Sequence, residues 1–145
     1  MEEIPKFKKP EDYEQFAINV QERSPERAQE ARRRAIELRA ELHGATTSVE
    51  REALEAVFAY ERMLWMEKGK KVRASYTWRM IENRGLLAAV ERLVTRKKET
   101  QGYRLLVANG LEDKAFEAVV LRHPQSFSDE AVAASKARLG SLKKG

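Results

Sequence analysis

Cysteine is absent from this chain of 145 residues. That excludes disulfides, thiolate nucleophiles and cysteine-held metal sites. It fits a reducing compartment without requiring one. Only four prolines and seven glycines interrupt the chain, and β-branched residues are scarce beside Ala, Leu, Glu and Arg. This alphabet favours helices and suits sheets poorly. No apolar run approaches the length of a membrane span. The opening residues, MEEIPKFKKPEDYEQF, have mixed charge and no apolar centre, unlike a secretory signal. The expectation is an all-α chain in the cytoplasm with no membrane association.

Histidine is nearly absent too. His43 and His123 each sit beside an expected helix end, where a cation suits the negative dipole. No H-E-x-x-H, E-x-x-H, phosphate-loop, dinucleotide or nucleophile-elbow pattern occurs. The sequence therefore names no catalytic residue, metal ligand or cofactor, and a non-enzymatic protein is expected. A carboxylate enzyme is a third-ranked alternative, resting only on the surplus of Glu.

What the chain does have is apolar residues at 42% and charged residues at 35%. The first is enough for one core at this length. The second exceeds the usual quarter and suits long exposed helix faces. One domain spanning 1–145, with seven or eight helices, is the simplest reading.

Residues 1–10 read as an extended arm punctuated by Pro5 and Pro10. The spacing of Tyr13, Phe16, Ala17 and Val20 predicts a helix from Glu11 to about Arg23. Ser24-Pro25-Glu26 is a helix-start signal, and the next helix runs to about His43, with Gly44 as its stop. Thr47 and Glu50 form a capping-box pattern before a helix from Ser48 to Lys68, stopped by Gly69. Ala28, Ala31, Ala35, Leu38 and Leu42 alternate steps of three and four. So do Val49, Ala53, Ala56, Tyr60 and Met63. Matching seams joined by a short loop predict a helical hairpin over 24–68, packed on a bundle of short helices over 74–139. The seam serves either the chain's own core or a partner, a homodimer included. Its candidate contact residues are Ala31, Ala35, Leu38, Leu42, Ala53 and Tyr60.

The bundle is predicted to comprise helices at Ser75–Arg84, Leu86–Arg96, Tyr103–Asn109 and Leu111–Arg122. A last helix, capped by Ser128, runs to about Leu139, and 140–145 is expected to fray.

Charge is unevenly placed. The net charge is +5, yet the window 66–104 holds eleven basic and four acidic residues, so it carries +7 and the rest −2. A local excess points to a polyanionic partner. Lys70, Lys71 and Arg73 precede an expected helix start, where backbone N–H groups favour phosphate. Tyr76 and Trp78 interleave with Arg79, and Arg84, Arg96, Lys97 and Lys98 extend the excess. Tyr76 is the aromatic expected near a base, and Trp78 is expected in the core. Helix, Gly85 and helix also make the ingredients of a helix-turn-helix. However, Glu91 falls where the second helix wants an apolar residue, and its start, Leu86-Leu87-Ala88-Ala89, cannot read base edges. Backbone-directed binding of DNA or RNA fits better.

The segments RASYTWRMIENRGLLAAVERLV, GLEDKAFEAVVLRHPQSFS and VAASKARL resemble a group of small uncharacterised bacterial helical proteins. The likeness spans about Ala56 to Leu139. It implies that 69–139 is one architectural unit, with the hairpin more variable, and it points away from the known enzyme families. It brings no activity, cofactor or site residue. Two functional expectations stand: nucleic-acid binding through 68–98, and alternatively a helical protein-interaction or oligomerisation module.

Overall fold

A computed structural model describes residues 3–96 and 101–144, with side chains at 101, 102 and 142–144 left out. Among the described residues there are eight α-helices, two short 3-10 turns and no strand. No helix among them is long and apolar enough to cross a membrane. The chain divides into two compact units, 1–45 and 46–145.

The first unit is a pair of helices, α1 (Pro10–Val20) and α2 (Pro25–Leu42). Both begin with proline at a first-turn position, where its missing N–H is no loss. Ser24 makes no side-chain cap, so Pro25 and the first-turn acid Glu26 remain as the start signals of α2. Tyr13 and Val20 of α1, with Ala17 between them, form one core with the small Ala28, Ala31 and Ala35 of α2. Ile4, Phe7, Phe16 and Leu38 pack around it. The expected arm is therefore tied down. The Phe7 ring meets Tyr13 edge-on at 5.0 Å, and the Phe7 N–H donates to the Tyr13 hydroxyl at 3.1 Å. Arg39 of α2 pairs with Glu11 and Glu14 of α1.

The boundary between units falls in the loop of the hairpin expected over 24–68. Its first seam supplies Ala28, Ala31 and Ala35 to the core of the first unit, and its second supplies Ala53 to that of the second. Periodicity identifies a sticky face but not what covers it. The alanine face of α2 is matched by the bulky face of α1.

The second unit contains α3 (Ser48–Lys68), α4 (Ser75–Arg84), α5 (Leu86–Thr95), α6 (Gln101–Ala108), α7 (Phe116–Arg122) and α8 (Asp129–Lys144). The capping box of α3 forms: the Glu50 N–H donates to Thr47 Oγ1 at 3.2 Å, and the Thr47 hydroxyl to the Glu50 carboxylate at 2.8 Å. Gly69 closes the helix in the left-handed conformation, φ 72°. Ala53, Val90, Val94, Val120, Phe127 and Ala131 make the core, bringing together α3, α5, α7 and α8.

Two further differences lie in the second unit. The helix expected over Leu111–Arg122 is split into a 3-10 turn, Glu112–Lys114, an extended Ala115 and then α7. The break buries Lys114, whose Nζ reaches Glu55 of α3 at 2.8 Å. The terminal helix continues past Leu139 to Lys144. Its start is doubly held: Ser128 Oγ accepts the Ala131 N–H at 3.1 Å, and Glu91 accepts the Ser128 N–H at 2.7 Å.

Candidate nucleic-acid interface

The link from α3 to α4, residues 69–74, carries Lys70, Lys71 and Arg73, all exposed. Two hydrogen bonds hold it, and a third anchors the carboxylate that makes one of them. The Trp65 indole N–H donates to the Val72 carbonyl at 2.6 Å. Glu61, only 8% exposed, accepts from the Ala74 N–H at 2.8 Å and from the Trp78 indole N–H at 2.7 Å through one oxygen, Oε2. A buried carboxylate needs such donors to be tolerated. Trp78 is buried at 8% exposure and stacks at a tilt on Phe58 with centroids 5.4 Å apart, so it is core as expected.

Cations lie over both indoles. Lys71 Nζ is 5.2 Å and Arg62 Cζ 5.5 Å from the Trp65 ring centre, and Arg73 Cζ is 5.5 Å from that of Trp78. These are cation–π distances. Arg73 also has Glu82 within 4.0 Å. Among the described residues, Lys70, Lys71 and Arg79 have no carboxylate partner.

Glu61 changes one expectation. The start of α4 is expected to offer backbone N–H groups to phosphate, and the N–H of its capping residue, Ala74, is already taken by Glu61. The Ser75 hydroxyl turns back toward the Arg73 carbonyl at 3.5 Å. The cationic groups of this segment are its outward side chains, Lys70, Lys71 and Arg73. Nothing in the sequence marks Glu61, because a single Glu on a charged helix looks like any other. Its position one turn before Trp65, and the two indoles around the loop, are the only hints.

On α4, Tyr76, Arg79 and Arg84 are exposed. Arg96 is half-buried, and its Cζ lies 6.0 Å from the Tyr76 ring centre. Lys97 and Lys98 lie outside the described residues. At the start of α5, Leu86 and Leu87 pack against the core and Ala89 is buried.

The seam residues are divided between the two units. Ala31, Ala35 and Leu38 belong to the first unit's core. Leu42 is 64% exposed. Ala53 is in the second unit's core, and Tyr60 stacks on Phe116 with centroids 6.1 Å apart.

Behind Arg96 a cavity of about 30 Å³ is bordered by Tyr60, Met63, Tyr103, Leu106 and Phe116. That is room for one or two waters. Two buried ion pairs flank it. Lys114 meets Glu55, and Glu117 accepts from Arg138 Nη1 at 2.7 Å. Arg138 also donates to the Arg96 carbonyl, a cation closing the end of α5. The Arg96 Nε is buried with no hydrogen-bond partner. Burial raises the Tyr103 phenol above its ordinary pKa, helped by the negative charges of Glu112 and Glu117. No family model, curated protein or solved structure matches the chain.

Proposed function

We propose that the chain binds nucleic acid, chiefly through the phosphate backbone, by means of the 69–74 link and the exposed face of α4. The observation that carries this is the pinned link. Lys70, Lys71 and Arg73 project from a loop whose backbone is held at Val72 and Ala74 by Trp65 and Glu61. A loop ordered in advance loses less entropy on binding. Arg79 and Arg84 extend the positive face along α4, with Arg96, Lys97 and Lys98 as the sequence's further candidates. The absence of base-reading groups at the start of α5 favours contacts that ignore sequence. The interaction-module alternative keeps less support. Of its six seam residues, Leu42 alone is exposed.

The test is binding of duplex DNA, single-stranded DNA and RNA across a salt series. Affinity is expected to fall with salt, log K against log salt having a slope of about −0.7 to −0.9 per phosphate neutralised. Charge reversal at Lys70, Lys71 and Arg73 together is expected to flatten that slope by about 2 to 3. No binding at low salt, or an unchanged slope in the reversed variant, sinks the proposal.

A further inference from the structure

The large apolar side chains found exposed among the described residues are Ile18, Leu42, Met66, Tyr76 and Val107. Tyr76 is the aromatic one, at 59% exposure. It stands on the first turn of α4, whose preceding residue is fixed by Glu61. Arg79 lies three residues on, on the same side of the helix. Arg96 sets its guanidinium against the Tyr76 ring, while its own backbone is held by Arg138.

Contact with phosphates alone requires no aromatic ring. An exposed ring held in place among cations has a chemistry of its own. Every nucleobase has a π-face, and base–aromatic stacking works without regard to sequence. In a duplex those faces are covered by neighbouring bases, whereas in a single strand they are available. We propose that Tyr76 is a stacking platform for an unpaired base and that the partner is single-stranded nucleic acid. This deepens the backbone-binding reading and rests on it. Lys70, Lys71, Arg73 and Arg79 hold the strand, and Tyr76 takes one base.

The test uses the full chain and three labelled probes in anisotropy titrations at low salt. They are oligo-deoxythymidine of about 12 nucleotides, within the usual site sizes, the same strand paired with its complement, and an abasic strand of equal length. The thymidine strand is expected to bind roughly 5- to 150-fold tighter than the abasic one, the range that stacking of one base gives. Tyr76→Ala is expected to bring the thymidine strand down to the abasic level without changing the salt slope. Tyr76→Phe should retain the preference. Because Tyr76 is exposed, helical circular dichroism should be the same in all variants. Equal affinity for thymidine and abasic strands, or an unaltered preference in Tyr76→Ala, overturns the stacking role. The Lys70/Lys71/Arg73 reversal reports separately, since it should weaken all three probes alike. If it changes nothing, the backbone reading falls first.

Discussion

Glu52 accepts two hydrogen bonds from neighbouring side chains at the end of α7. Arg122 Nε donates at 2.6 Å, and His123 Nε2 lies 2.9 Å from the other oxygen. Burial alone would raise this carboxyl's pKa, but the hydrogen bonds from Arg122 and His123 outweigh it and leave the group below its ordinary value. A carboxyl depressed on folding stabilises the fold above its unfolded pKa of about 4.5. That contribution is lost as pH falls through the folded value. Glu52→Gln is therefore expected to lower stability at neutral pH and to change little at the most acidic pH. Urea unfolding of both proteins from pH 7 down to pH 3 checks this. A gap that stays constant across the range would contradict it. His123 read from the sequence as a helix-end residue, and so it is. Its partner 71 residues earlier could not be read, because ion pairs between distant segments leave no spacing signal.

At the level of the element, glycines do different work at different positions. Gly85, between α4 and α5, has φ 90° and ψ 160°, a region open in practice to glycine alone. A Cβ there would meet nothing within 4 Å, so Gly85→Ala isolates the backbone term. It is expected to destabilise by about 1–3 kcal/mol. Gly140 lies inside α8, and a Cβ there also meets nothing within 4 Å. Gly140→Ala should stabilise by about 0.5–1 kcal/mol through helix propensity. Chemical denaturation of the pair gives the two signs, and equal signs would refute the distinction.

Local signals of this kind were the most legible part of the sequence. Thr47 with Glu50, Gly69, Gly85 and Ser128 place helix ends correctly because each acts within a few residues. Two other ends differ from that reading. Lys114 breaks a predicted helix to reach Glu55, and the last helix runs through a glycine that the sequence takes as its end. Similarly, the small-residue face of α2 is visible in the sequence, whereas its covering by Tyr13, Ala17 and Val20 is not. For the candidate site, the exposed cations and Tyr76 are legible from charge and spacing. Glu61, which orders them, is not.

At the scale of the whole chain, the two units have separate cores, and the basic link lies wholly in the second. Residues 46–145 hold their own capped helices, core and ion pairs. A fragment of these 100 residues is expected to show cooperative thermal unfolding by circular dichroism and to keep the full chain's affinity for a polyanion. A non-cooperative melt would mean that the second core is insufficient alone. A folded fragment without affinity would move the binding surface elsewhere.

Both tryptophans of the chain, Trp65 and Trp78, belong to the scaffold of the basic link. Each has its ring nitrogen engaged and a basic side chain of the link against its face. The chain's ultraviolet emission therefore comes almost entirely from one corner of the molecule. An anion that draws Lys71 or Arg73 outward uncovers an indole, changing the colour and intensity of that light. The protein thus carries an intrinsic optical reporter for the surface proposed to bind, without any added label.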